Sequence, residues 1–309
     1  MNQAAAGYNS YAVMGDMTHD VGAYYCLFVN TALFEKLGLE VPYSAVEDGS
    51  WTWDMLLTLT RQAATVDGGV LNIGAGSVSE LVSAVLKSAG QDYLKTGLGV
   101  TPEIAYGTEA TVKAVDLLRG MQHSYKILFD QYSNTGSSLG DFRAGNLMFF
   151  AGRVSQMAEV AKMGGDWTIL PMPKFDPSAA TYQTFISPDA PVIVISASTP
   201  NPEDIAYGLT ALNAASGKYL TEAYYDDLTV NAVNNSRTLD MLDYVCGIKG
   251  GVGLTDFVYM FGAQYPELYE NSYAALWEHI CNGTVTVAEA ARSAQYNLNW
   301  RMQNAFPVK

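Results

Sequence analysis

Basic residues are scarce in this chain: 17 Lys and Arg stand against 31 Asp and Glu, a formal net charge of -14 over 309 residues. That imbalance opposes long-range attraction to phosphate backbones and anionic lipid, so nucleic acid and membrane surfaces are poor partners. Cysteine is rarer still. Cys26, Cys246 and Cys281 are far apart in sequence, show no CxxC or Cys/His ligand spacing, and leave one over if two pair. Neither a disulfide framework nor a zinc site is expected. Long hydrophobic runs are missing too: Val21 to Phe34 and Val192 to Ser196 are each too short to span a bilayer as one helix. Met1-Asn2-Gln3-Ala4 has neither a basic segment leading into an apolar run nor a lipid-accepting cysteine, so secretion is not readable from those residues.

Catalytic signatures are lacking as well. His19, His123 and His279 are isolated from one another, and no Gly-x-Ser-x-Gly elbow or HExxH pair occurs. Gly74-Ala75-Gly76 lacks the third glycine and the later acidic residue of a dinucleotide loop. Asp226 and Asp227 are adjacent, point to different sides in any regular structure, and read as a solvated turn rather than an acid/base pair. No enzyme, cofactor or metal is expected.

What the chain has in quantity is apolar and aromatic surface. With 49% hydrophobic and 16% charged residues it can bury one large core or two smaller ones. Its 20 tyrosines suit sugar or peptide binding, because a ring face packs on apolar C–H surface while the hydroxyl reaches a polar partner, although most such rings belong to cores.

Local signals give an order of elements. Tyr24 to Val29 is aromatic and β-branched, a strand, and Thr31 to Leu37 is a short helix capped by Asn30 or Thr31 and stopped by Gly38. Asp48-Gly49 marks a turn, Thr52 caps a helix from Trp53 to Ala64, and Trp51 with Leu56 form a hydrophobic staple. Ser77 and Glu80 form a capping box opening a helix that Gly90 ends, and Thr108 opens another to about Met121. A short helix around Ser138 to Arg143 precedes a strand from Asn146 to Phe150, and Asp166 to Leu170 is a strand closed by Pro171. Val192 to Ser196 reads as a strand buried on both faces, followed by Asn201 and Pro202 opening a helix to about Ala215. From Leu254 the chain reads as helical, with Thr286 capping a last helix from Val287 to about Asn304. Strands interleaved with helices predict an α/β architecture.

Several of these segments, in order, resemble the family 1 extracellular solute-binding proteins, the group that includes maltose- and other oligosaccharide-binding proteins. Tyr24 to Leu39, YYCLFVNTALFEKLGL, resembles the family's "YNKDLFEEAGL" strand, and Val41 to Leu59, VPYSAVEDGSWTWDMLLTL, its "P…TWDEL" helix entry in the form of clostridial lipoproteins. Phe142 to Ala151, FRAGNLMFFA, is similar to "F..GKAAM", Trp167 to Phe175, WTILPMPKF, to "…LPMPK", and Pro191 to Leu212 to the segment crossing back into the first lobe. The family's lysine after Asn30 is Thr31 here, and its "DGDG" calcium loop is reduced to Asp67-Gly68-Gly69.

The resemblance implies a type II periplasmic-binding-protein-like α/β fold of two hinged lobes, the first incomplete: residues 1–22 and 190–249 as the remnant of lobe one, residues 23–189 and 250–309 as lobe two. A gene fragment, a trimmed chain and half of a split protein all fit that pattern, the last implying a separate N-terminal fragment as partner. It further implies a solute-binding subunit of an ABC importer, lipid-anchored on the outer face of the cytoplasmic membrane or periplasmic. Such a subunit captures a carbohydrate, as an oligosaccharide, and presents it to the permease. The alternatives are a truncated non-binding fragment or interaction module, and a carbohydrate-active enzyme, for which no carboxylate pair is evident. Implied ligand-binding residues lie beside the crossings and at element ends: Asp20, Tyr24, Tyr25, Ser77, Ser79, Arg153, Asp189, Phe257 and Tyr259. Tyr25 and Tyr259 are the candidates for stacking on a sugar. Equally open are a pure cap at Ser77, an ion pair at Arg153 and core packing at Tyr24 or Tyr25.

Overall fold

A computed structural model describes residues 5–305 apart from 7–8, 11–12, 19, 68–72, 92–93, 96–98, 101–102, 106, 126, 131–135, 165, 188–189, 197, 232–234, 248–250 and 256–269. A small antiparallel hairpin of β1 (Ala5–Ala6) and β2 (Asn9–Ser10) is followed by 3-10 turns at Asp16–Thr18 and Asp20–Ala23. Next come β3 (Tyr25–Asn30), α1 (Thr31–Lys36), α2 (Tyr43–Glu47), α3 (Trp53–Asp67), β4 (Ile73–Ala75) and α4 (Val78–Ser88). The middle of the chain holds β5 (Leu94–Lys95), β6 (Glu103–Ile104), α5 (Glu109–Tyr125), β7 (Leu128–Phe129), α6 (Ser138–Arg143), β8 (Phe149–Arg153), α7 (Met157–Val160) and β9 (Trp167–Leu170). The remainder is β10 (Tyr182–Ile186), α8 (Pro202–Asn231), α9 (Ser236–Val245), β11 (Gly251–Thr255), α10 (Trp277–Cys281) and α11 (Val287–Ala305).

Local chemistry sets many of these boundaries. The Asn30 side chain accepts from the Leu33 N–H at 3.1 Å, and Gly38 takes a left-handed φ of +65° that closes the turn after α1. Because Asn30 is buried, no water stands ready to replace that cap. Asn30→Ala is expected to cost about 1 kcal/mol, measured by urea denaturation; a midpoint equal to wild type would mean that the cap contributes nothing. Thr108 accepts from the Thr111 N–H at 3.1 Å before α5, and Thr286 and Glu289 cap α11 reciprocally, at 3.1 Å and 2.9 Å. Trp51 and Leu56 are both fully buried, and the Trp51 indole donates to the Pro171 carbonyl at 3.0 Å.

The main sheet has the order β7-β4-β8-β3-β9. β4 runs parallel to both β7 and β8, whereas β3 is antiparallel to β8 and β9. β3 is an interior strand, paired on one side with the middle strand β8 and on the other with the edge strand β9, and its six residues are all buried. Phe28 at its centre lies 5.8 Å from Phe150, 6.1 Å from Trp167 and 6.5 Å from Phe142 between ring centroids. A second, parallel pair, β10 with β11, is joined to the main body by a bridge from Ile186 to Tyr24 and by the Ser187 N–H donating to the Ala23 carbonyl at 2.9 Å. Residues 23–24 and 186–187, where crossings between lobes are expected, thus run side by side.

Five expectations need correction. Val192–Ser196 is not a buried strand: it makes a single bridge, Ile193 to Val13, and Val192, Val194 and Ile195 are exposed, the segment being covered only in part on the side where Ile195 lines a cavity with Leu209 of α8. The helix expected to end near Ala215 continues to Asn231, Gly217 being tolerated inside it because the chain of Asp16 packs closely there. Asp226 and Asp227 accordingly lie exposed on α8 rather than in a turn. Leu254 and Thr255, where helix was expected to begin, end β11 instead, since pairing with β10 outweighs local preference. Finally, α9 falls within 190–249 yet packs its buried Met241, Leu242 and Val245 with the main core, and Thr238 meets Thr168 of β9 at 3.1 Å.

Candidate functional site

Parallel strands in an open α/β sheet leave their carboxyl ends at one edge, and the side chains just beyond those ends converge there. In this sheet Gly76 and Ser77 follow β4, Asp130 follows β7 and Arg153 ends β8. Antiparallel β3 starts at the same edge with Tyr25, and the bridge to Tyr24 brings Ser187 alongside.

Glu80 organises the edge. Its Oε1 accepts from Arg153 Nε at 2.8 Å and from Arg153 Nη2, and from Ser187 Oγ at 3.3 Å. The Ser187 residue is fully buried, while the Glu80 and Arg153 side chains keep 16% and 30% exposure, so the pair is shielded but reachable. Ser77 Oγ lies 2.7 Å from Ser79 Oγ and accepts from the Glu80 N–H at 3.5 Å. Only half of the expected capping box therefore forms, because the Glu80 carboxylate turns outward to Arg153. Asp130 Oδ1 accepts from the Ser138 N–H at 2.8 Å and from Ser138 Oγ at 2.7 Å, and a Cβ on Gly76 would stand 3.7 Å from its other oxygen.

Tyr25 lies beneath this array. It is fully buried, its hydroxyl donates to the Ala151 carbonyl at 3.0 Å, and its ring meets Phe185 edge-on at 5.9 Å. Burial, reinforced by the Glu80 charge, pushes its phenol pKa well up, so it stays protonated as a donor. The expectation that Tyr25 stacks on a ligand is corrected: its ring is a core element with no face left to offer.

Of the other expected residues, the structure brings Ser77, Ser79 and Arg153 together and sets half-buried Tyr24 beside them. Asp20 belongs to the 3-10 turn before β3, its side chain lying outside the described residues, as do Asp189, Phe257 and Tyr259 entirely. The sequence pattern does not single out Glu80, Asp130 or Ser187 as site residues. Glu80 was hidden by its capping position, while Asp130 carries a usable signal, a lone carboxylate straight after an apolar strand. The array offers fixed donors and acceptors around one charge pair; among the described residues no group of three or more His, Cys, Asp or Glu is placed to hold a metal, and Cys26, Cys246 and Cys281 form no disulfide with one another.

The sequence matches no family model and no curated protein. Solved structures do match. UspC of M. tuberculosis shares the fold at a TM-score of 0.60 with 16% identity, over 95% of this chain and 74% of that one. The sugar-binding protein MalE of Xanthomonas citri matches at 0.59 with 13% identity, over 91% and 69%. An ABC transporter solute-binding protein of Thermotoga lettingae, bound with α-D-tagatose, matches at 0.54 with 16% identity, over 95% and 72%. The chain has the periplasmic-binding-protein fold. The paired segments at 23–24 and 186–187 lie at the carboxyl-end edge, beside the polar array. Among the described residues, no helix of this periplasmic-binding-protein-like chain is long and apolar enough to cross a membrane.

Proposed function

We propose that this chain is the solute-capturing part of an ABC importer and binds a carbohydrate at the strand-end edge. The observation that carries the reading is the convergence of Ser77, Ser79, Glu80, Asp130, Arg153 and Ser187 at that edge, in a fold shared with sugar-binding proteins. Vicinal hydroxyls both donate and accept, and a paired Arg–Glu beside serine hydroxyls presents both functions at fixed spacing. Tyr24 supplies apolar surface nearby, and Asp20, Asp189, Phe257 and Tyr259 complete the site in this proposal. Residues 1–22 with 190–231 form one lobe and the main sheet with α9 the other; ligand between them favours the closed arrangement, which the permease recognises. The protein works outside the cytoplasmic membrane, lipid-anchored or periplasmic, and turns over no substrate.

Calorimetry and thermal shift with maltose, α-D-tagatose, cycloalternan and glycerophosphocholine test this. Saturable binding of a carbohydrate is expected, with about 2.7 kcal/mol of stabilisation at a hundredfold excess over Kd. Binding of glycerophosphocholine alone would move the ligand class, and no binding by any of them or by a wider oligosaccharide set would sink the reading.

A further inference from the structure

A neutral sugar and an acidic one make different demands on the same edge. Hydroxyls donate as well as accept, whereas a carboxylate or phosphate group only accepts and brings negative charge with it. An acidic ligand therefore needs a cation with donors to spare. Arg153 is the one cation among the charged side chains proposed for the site, and Glu80 engages it side-on: Nε and Nη2 both donate to the same Oε1, the first at 2.8 Å. Fully buried Ser187 donates to that oxygen as well, at 3.3 Å, which holds the carboxylate against the guanidinium from behind. Glu80 is the third residue of α4, a position from which a carboxylate ordinarily turns back to the cap N–H, and here it faces Arg153 instead.

What the edge leaves open is acceptors. Glu80 Oε2 and Asp130 Oδ2 make no hydrogen bond among the described residues, and Asp130 is exposed. Gly76 has no side chain to cover Asp130, and a Cβ there would come within 3.7 Å of Oδ2. Asp20 and Asp189, the other charges proposed for the site, are carboxylates too. The buried Tyr25 phenol senses this balance: burial raises its pKa first, Glu80 and Asp130 raise it further, and Arg153 alone among the nearby charges lowers it. An anionic group arriving at the edge would meet a guanidinium already neutralised and open carboxylate oxygens of its own sign. A hydroxyl in the same place donates to those oxygens.

We propose that Glu80 is a specificity determinant: by occupying Arg153 it bars uronic acids and sugar phosphates, and it leaves neutral saccharides, whose hydroxyls donate to Glu80 Oε2 and Asp130 Oδ2, as the class bound. The inference rests on the carbohydrate reading and narrows it through an element that repels the wrong ligand. The test is calorimetry on the wild type, Glu80→Gln and the double variant Glu80→Gln with Arg153→Ala, each with unchanged circular dichroism. The probes are glucose with glucuronate, galactose with galacturonate, maltose with maltobionate, and inorganic phosphate as an anion without a sugar. The wild type is expected to bind a neutral member at least about 100-fold more tightly than its acidic counterpart. Glu80→Gln, which keeps the shape and removes the charge, should bind the acidic member and phosphate at least about 10-fold more tightly than the wild type does, while its affinity for the neutral member falls. Opposite shifts for the two ligand classes would not follow from a merely structural role. The gain should vanish in the double variant, because it comes from the released guanidinium. Equal affinity of the wild type for acidic and neutral members would overturn the proposal and leave the carbohydrate reading standing. So would a folded Glu80→Gln that gains nothing for phosphate or acidic sugars, or a gain that survives loss of Arg153. Failure of every saccharide, neutral and acidic, to bind the wild type would sink the carbohydrate reading and this inference with it.

Discussion

Phe28→Ala is expected to destabilise the protein by about 3–5 kcal/mol, enough to unfold a large fraction of a marginally stable domain. Phe28 is fully buried on the strand that pairs with both β8 and β9, and its ring is packed against Phe142, Phe150 and Trp167 from three other elements. Truncation removes the transfer free energy of a whole ring and leaves a cavity that two paired neighbours hold open, since their backbones are tied in the same ladder. Phe28→Leu retains most of the volume and should cost about 1.5 kcal/mol or less if repacking succeeds. Urea denaturation of both variants checks the claim. A loss below about 1 kcal/mol for the alanine variant would mean that the sheet collapses around the gap and that the packing on β3 is not rigid.

The second large effect falls on ligand affinity. Arg153→Ala and Glu80→Gln should each weaken carbohydrate binding by about 10- to 100-fold, the loss typical of a positioned charged anchor. Their cost in stability should be smaller, on the order of 1 kcal/mol or less, because the Arg153 side chain is 30% exposed and water screens the pair. Glu80→Gln keeps the volume and one acceptor for Ser187 while removing the charge that Arg153 faces, so it separates electrostatics from packing. Calorimetric titration alongside urea denaturation distinguishes the two outcomes. Wild-type affinity in folded variants at both positions would remove the strand-end edge from the site, whereas equal losses of stability and affinity would make the pair a structural tie. Tyr25→Phe serves as the control: it deletes a buried hydroxyl bonded to Ala151, and is expected to lower stability by about 1 kcal/mol without altering affinity.

Legibility followed the range of the interaction. Caps at Asn30, Ser77, Thr108 and Thr286 depend on atoms within three or four residues, so the sequence by itself determined where those helices begin. The strand at 25–30, the apolar character of the core and the ordered segments behind the family resemblance were legible for the same reason. Tertiary structure decided everything that depended on a neighbour from elsewhere in the chain. Val192–Ser196 has the composition of a buried strand, yet burial needs a second layer, and hydrophobic content carries no information on whether one is present. Tyr24 and Tyr25 are the same residue type at adjacent positions; the start at Tyr25 of a strand buried on both faces, with Phe185 packed on its ring, and not their chemistry, made the second a core ring. Glu80 could serve its own helix or Arg153, 73 residues away, and only the pairing of β4 with β8 brought the guanidinium close enough to win the carboxylate.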